Sequence, residues 1–264
     1  MGLSSKQKKF MKDFLIKEYE AKVERFTKKP TDGLKQHFAA STSIPKDERI
    51  IHGTVHSMLT TYGMSFYEDI AKQIAEPISN ITKTQWKSNL KVSQDRLTKI
   101  SEIVEEHGTG KRMPDIDAET VEILSIPNKN LIDSNDGQVV DVYFKRGNDE
   151  YYIDIKTVGP NLPGFIALRK NNLKWIARAN KKIHPIVAIP YNPFYPKPYE
   201  KVGSDRMELG KDLLVGKEFW DLVGGSAGCY EDIVATFKQI GHVYFQKMLS
   251  IARQYYGRTE KMRK

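Results

Sequence analysis

The sequence predicts a mixed α/β fold, a mixed central sheet flanked by helices and preceded by a mainly helical N-terminal region. Three observations carry this. Apolar residues recur at helical spacing through much of residues 1–110. Residues 138–158 are rich in β-branched and aromatic side chains around a turn. A helical pattern and a short apolar run follow, giving the strand–helix–strand order of a parallel crossover. The 264 residues suit one domain, 1–264, with a helical part over 1–110 and an α/β core with C-terminal helices over 111–264.

Each element has its own signal. Residues 4–27 set Phe10, Phe14, Ile16, Tyr19, Val23 and Phe26 at helical spacing among Lys and Glu. Residues 46–62 and 64–76 read as two helices broken near Gly63, and 83–105 as a fourth, ended by Gly108 and Gly110. Gln138 to Phe144 is a strand, Lys145 to Asp149 supplies turn residues, and Glu150 to Val158 is a second strand. Together they form a hairpin with a Gly-Asn turn. Pro160 and Pro163 end it. Residues 164–180 form a basic amphipathic helix, 183–190 a buried strand, and 191–203 a loop rich in Pro and Tyr. From about residue 216 the chain is mostly helical, with a long helix near 229–256.

Composition narrows the function classes. The net charge is +9, which suits a polyanionic partner such as nucleic acid. Its distribution is more telling. Residues 157–199 hold no acid but carry Arg169, Lys170, Lys174, Arg178, Lys181, Lys182 and Lys197, a surface expected to face phosphates. Arg169, Lys170, Lys174 and Arg178 fall on one broad helix side, with Asn171 and Asn172 among them. Such side chains suit a DNA backbone, or base edges in the major groove. One cysteine, Cys229, excludes an intrachain disulfide and suits a reducing compartment. No secretory signal and no run of 18 apolar residues is found, so a soluble cytoplasmic protein without membrane contact is expected.

The chemistry converges on the hairpin. Alternate residues of a strand share a face, so Asp154 and Lys156 point one way while Ile153 and Ile155 point into a core. Asp141 lies on the first strand with twelve residues between it and Asp154, and a tight turn brings the two together. Carboxylate oxygens are hard ligands that suit Mg²⁺. The metal offsets charge on a scissile phosphate and activates water, and a lysine beside it orients that water. Met113-Pro114-Asp115 offers a literal Pro-Asp, but it lies in a loop without strand context, and Asp141 is preferred.

Asp141, with Asp154-Ile155-Lys156, resembles the PD-(D/E)xK nuclease signature, with Val140 where that signature has Pro. Further blocks are similar to the TdeIII-type restriction endonucleases. They are Tyr152 to Asn161, Leu173-Lys-Trp175, Ile189 to Pro196, and Trp220-Asp-Leu-Val-Gly-Gly225, within a resemblance covering roughly 50–240. Gly63 to Ala75 is similar to the helix that such nucleases set before the core, which carries a glutamate over to Glu68. The resemblance implies a restriction-endonuclease-like core and type II cleavage of double-stranded DNA. It implies one or two Mg²⁺ ions on Asp141, Asp154, Ile155 and Glu68, and 5′-phosphate ends. It also implies a short GC-rich palindrome of the GGNCC kind and a cognate methyltransferase in the host. Two-fold symmetry of the site favours a homodimer.

Other features read more plainly. His52 and His56 have zinc spacing without a third ligand, so surface or core histidines are expected. Gly224 to Gly228 is expected to be a turn opening the last helix. Alternatives to a restriction enzyme are a nucleic-acid-binding protein with a structural acidic cluster, and a repair or junction nuclease on the same core.

Overall fold

The computed structural model describes residues 2–28, 43–59, 64–157 and 159–261. Helix α1 (Ser5–Lys28) buries Gln7, Met11, Leu15, Tyr19, Val23 and Phe26, a stripe in steps of three and four. Phe10, Phe14 and Ile16, expected on that stripe, are only half-buried beside it. Two shorter helices follow, α2 (Lys46–Leu59) and α3 (Met64–Ala75); the break anticipated near Gly63 lies outside the described residues. Pro77 lies in the single 3₁₀ turn after α3, Glu76–Ile78, where a missing N–H costs least.

The next segment corrects the sequence reading. A helix was expected from residue 83, but Ile81–Lys87 is strand β1, and Lys91–Ser93 is a short strand β2. Burial along β1 alternates with period two. Thr82, Thr84 and Trp86 supply the β-branched and aromatic side chains that suit this. Helix α4 (Gln94–Thr109) starts only after extended Ser93 and ends at Gly110, whose φ is +72°. Helix α5 (Ile116–Ser125) is capped by Asp115, whose carboxylate accepts from the Ala118 N–H. The Pro-Asp decoy is thus a helix cap.

Strand β3 (Leu131–Asp133) pairs with β2 in a two-stranded ribbon. Strands β4 (Val139–Arg146) and β5 (Asp149–Ile155) form the expected hairpin. Its loop is Gly147-Asn148, with Gly147 at φ +61°, the left-handed conformation such two-residue turns need. The second strand ends at Ile155, short of the expected Val158, which lies outside the described residues. Helix α6 (Leu162–Ala179) is capped by the Asn161 side chain and crosses to β6 (His184–Ile189). A loop leads to β7 (Leu213–Val215), then α7 (Lys217–Gly224) and α8 (Cys229–Lys261). As expected, Gly225, at φ +78°, ends α7 and opens the turn into α8.

The main sheet has the order β1-β4-β5-β6-β7, with β1–β4 and β4–β5 antiparallel and β5–β6 and β6–β7 parallel. The 1–110 region therefore supplies an edge strand as well as helices. One face buries Val142, Phe144, Ile153 and Ile155 against α1, α3, α7 and α8. The other buries Val140, Tyr143 and Tyr152 against α4, α5 and α6. Truncating a residue such as fully buried Ile153 to Ala would cost about 2–5 kcal/mol. Among the described residues no helix is long and apolar enough to cross a membrane. Cys229 is a buried free thiol.

Candidate active site

The hairpin opens into a fork. The β4–β5 register runs from Arg146↔Asp149 to Val142↔Ile153, so the next pair across is Asp141 and Asp154. There the strands part. Val140 and Val139 stay paired with β1, while Asp154 and Ile155 stay paired with β6. The Ile155 N–H, left without a strand partner on β4, donates to Asp141 Oδ2 at 2.8 Å. A side chain thus completes the backbone account where the sheet splits.

The pleat also reverses here. Val142 belongs to the core on one face and Val140 to the core on the other, although residues two apart share a face in a regular strand. Asp141 lies between them. Across the β1–β4 register from Asp141 is Gln85, the one residue of β1 with positive φ, at +49°. Trp86, just after it, stacks on Tyr143 with ring centroids 4.5 Å apart. Gln85 Nε2 donates to Glu68 Oε2 at 2.7 Å and to Asp141 Oδ1 at 3.3 Å. Glu68 reaches the fork from α3 and is only 4% exposed.

Lys156 follows β5 directly; its N–H donates to Ala188 O at 2.8 Å, which keeps the backbone on β6. Its ammonium is ion-paired with Asp154 Oδ1. Burial pushes the Asp154 carboxyl up to about 6; Lys156 opposes that shift, and Asp141 adds to it. Burial also raises Glu68, opposed by the Gln85 hydrogen bond and reinforced by Asp141. Three acids and one lysine therefore meet at one fork, where Asp154 and Glu68 are both held above the ordinary carboxylate range.

The donor chemistry fits a hard divalent cation. Among the described residues no three His, Cys, Asp or Glu side chains enclose a metal-sized space. Mg²⁺ needs no such cage, because it binds through one or two carboxylates and keeps several waters. Asp141 and Asp154, opposed across the fork, are the two that would supply such a pair. Ile155 engages its N–H with Asp141, and its side chain lies in the core.

The sequence reading of the site thus brings together Asp141, Asp154, Lys156 and Glu68. It misses Gln85, because residues 83–105 read as a helix. The signal was present in the alternation of Thr82, Thr84 and Trp86 with polar residues.

The proposed DNA-facing side of α6 needs correction. Residues 172–178 are all buried, because α6 is covered by the sheet, by α4 and α5, and by the loop before β4. Arg169 is fully buried and donates to Glu119 Oε2 at 3.0 and 2.6 Å, and also pairs with Asp212. Asn172 is buried, with its side-chain amide on Pro185 O. Lys174 pairs with Asp136, and Arg178 donates to Gly137 O at 2.7 Å and Ser134 O at 2.9 Å. The acids absent from residues 157–199 arrive from other segments of the chain. Lys170 and Asn171 are half-exposed, while exposed Lys181 and Lys182 pair with Glu150 and Asp117. His52 and His56 lie exposed with rings 6.4 Å apart.

Comparison with known proteins follows the same line. The model of a family described as "Type II restriction endonuclease, HinfI" matches residues 3–241. The type II restriction enzyme MjaII of Methanocaldococcus jannaschii is 28% identical over 209 residues, which are 73% of this chain and 55% of that protein. The chain thus spans about half the length of that relative. No solved structure matches. The coarse expectation of a type II restriction endonuclease family holds, whereas the TdeIII-type label does not follow from these matches. A match running almost the whole length of the chain, over the α/β core and its helices alike, assigns it to the HinfI family of type II restriction endonucleases.

Proposed function

We propose that the chain is a Mg²⁺-dependent endonuclease that hydrolyses double-stranded DNA at a short palindromic site and leaves 5′-phosphate ends. The observation that carries this is the fork at which Asp141, Asp154 and Lys156 meet. Bound there, Mg²⁺ supplies charge against the developing phosphorane and lowers the pKa of its water. Asp141 and Asp154 would hold it, with the Ile155 carbonyl and Glu68 as further candidate ligands. Asp141 would do so with one oxygen fixed by the Ile155 N–H and the other by Gln85. Lys156, about a third exposed, hydrogen-bonds the attacking water and opposes charge on the phosphate. Water adds to phosphorus, the 3′-oxygen leaves with a proton, and a 5′-phosphate remains.

The phosphate contacts are reassigned to cations that the fold leaves free. Lys83, Lys87 and Lys91, on β1 and β2, are exposed and have no acid partner among the described residues. Lys83 and Lys87 flank the fork, two residues either side of Gln85. Lys170, Asn171, Lys181 and Lys182 remain candidates at the surface of α6 and beyond it.

Cutting both strands of a palindrome favours a two-fold dimer, and a host carrying such an enzyme needs a methyltransferase to protect its own DNA. The test is incubation with plasmid of known sequence. Discrete fragments with Mg²⁺ and none with a chelator support the proposal. Intact DNA with a shifted band would favour a binding protein instead. Light scattering of the complex with a cleavage-site duplex checks the dimer, and a monomer on DNA would remove it.

A further inference from the structure

Gln85 stands out in two independent ways. It is one of three non-glycine residues with positive φ among the described residues, with Asn130 and Asn180. Asparagine tolerates that region because its short side chain bonds locally, and Asn180 is a helix C-cap. Glutamine has no such excuse, and Gln85 lies inside a strand with register pairs on both sides. Such a conformation persists only where the surroundings over-determine it. The second observation concerns what the conformation achieves. The side-chain nitrogen lies between two carboxylates from different elements, 2.7 Å from Glu68 Oε2 and 3.3 Å from Asp141 Oδ1.

An amide is suited to that position. Its NH₂ offers two donors, one for each acid, and brings no charge. A carboxylate there would add repulsion. A lysine would neutralise the acids and compete with a metal. The amide holds the two acids apart and oriented while leaving their charge to attract a cation. Asp141 is then fixed on both oxygens, by Gln85 on one side and by the Ile155 N–H on the other.

We infer that Gln85 is a positioning residue of the divalent-cation site, clamping Glu68 and Asp141 so that the Asp141–Asp154 pair is set before the cation arrives. This rests on the metal-dependent reading above, and acts through the acids without touching substrate. Groups that orient metal ligands from behind typically change affinity or activity by about 10–100-fold when removed.

The test separates the amide from the backbone. Gln85→Gly keeps the positive φ and removes the amide; Gln85→Asn suits the conformation but is too short to bridge both acids. Mn²⁺ binding to metal-free protein is read by electron paramagnetic resonance, Mg²⁺ dependence by the concentration for half-maximal cleavage, and folding by thermal melting. The expectation for Gln85→Gly is a folded protein that still melts cooperatively, with Mn²⁺ affinity lower by about 10-fold or more. The half-maximal Mg²⁺ concentration should rise in step, and rate should return in part at high Mg²⁺. Should Gln85→Gly not fold, Gln85→Asn is expected to show the same weakening. Unchanged Mn²⁺ affinity in a folded variant overturns the inference, as does an absence of Mn²⁺ binding by the unmutated protein. Asp154→Ala keeps the two readings apart. If it still cuts, the site itself is misassigned. If it is inactive while Gln85→Gly binds Mn²⁺ normally, only the role of Gln85 falls.

Discussion

Ile155 donates its N–H to Asp141 Oδ2 at 2.8 Å, so a candidate metal ligand on one strand is tied to the backbone of the next. The bond separates two effects of mutating Asp141. Asn keeps an oxygen that can accept from Ile155, and Ala keeps none. Asp141→Asn is therefore expected to melt close to the unmutated protein while single-turnover cleavage falls by about 10³-fold. Asp141→Ala should lose similar activity and also about 1–3 kcal/mol of stability, because it leaves a part-buried donor unpaired. Equal melting temperatures for the two variants would count against the bond.

Asp154 gives a pH dependence. Its folded carboxyl sits at about 6 against an ordinary 3.8, chiefly through burial. A raised acid is stabilised in its protonated form, so its favourable contribution is complete below 3.8 and lost as pH rises through about 6. Asp154→Asn mimics the protonated form. In metal-free protein it should be the more stable variant at pH 8, by on the order of 2–3 kcal/mol. The difference should vanish below about pH 4, and added Mg²⁺ should narrow it at pH 8 by binding only the aspartate form. Chemical denaturation across that range measures it; a gap that is constant with pH would contradict the assignment. The same variant should not cleave, so the acid that serves the site weakens the fold.

How much of this was legible follows from particular residues. The hairpin was, because Gly147-Asn148 admits few turns and a two-residue loop fixes the register. Once that register is fixed, Asp141 must face Asp154. The alternation of Thr82, Thr84 and Trp86 made β1 itself legible, but the role of Gln85 was not, because its placement beside Asp141 depends on pairing with β4, more than 50 residues away. The role of α6 was misread for a different reason. Composition shows that residues 157–199 lack acids, but not which way Arg169 or Lys174 points. Acids distant in sequence meet those cations: Glu119 and Asp212 hold Arg169 inside the protein, and exposed Asp136 covers the Lys174 ammonium from the surface.

That interior network has its own consequence. Glu119 accepts from Arg169 and lies 2.7 Å from His107 Nε2, and all three are fully buried. Burial alone would raise the Glu119 carboxyl, but His107 and Arg169 outweigh it and hold it below 4.5. A depressed acid contributes stability above its unfolded value, which is lost as pH falls through the folded one, so this contribution fades only below 4.5. Arg169→Met is expected to cost about 3–5 kcal/mol, because Glu119 and Asp212 lose their shared cation. The folded fraction should bind DNA with an unchanged salt slope. A flatter slope in a variant of normal stability would return Arg169 to the DNA surface.

The free lysines of β1 should behave in the opposite way. Lys83 and Lys87 are exposed, carry no ion pair among the described residues, and bracket Gln85 on the strand that meets Asp141. Each contact with a phosphate releases condensed counterions, and each steepens the fall of log affinity with log salt by about 0.9. Lys83→Ala with Lys87→Ala, measured in an Asp154→Asn background so that Mg²⁺ can be present without cutting, should flatten that slope by about 2. Affinity should fall alike on cognate and unrelated duplexes, because phosphate contacts carry no sequence information. Melting temperature should hardly change, since neither side chain is buried or paired. A loss confined to the cognate duplex would instead assign these lysines to base edges, and a slope equal to that of the parent would move the phosphate path away from β1.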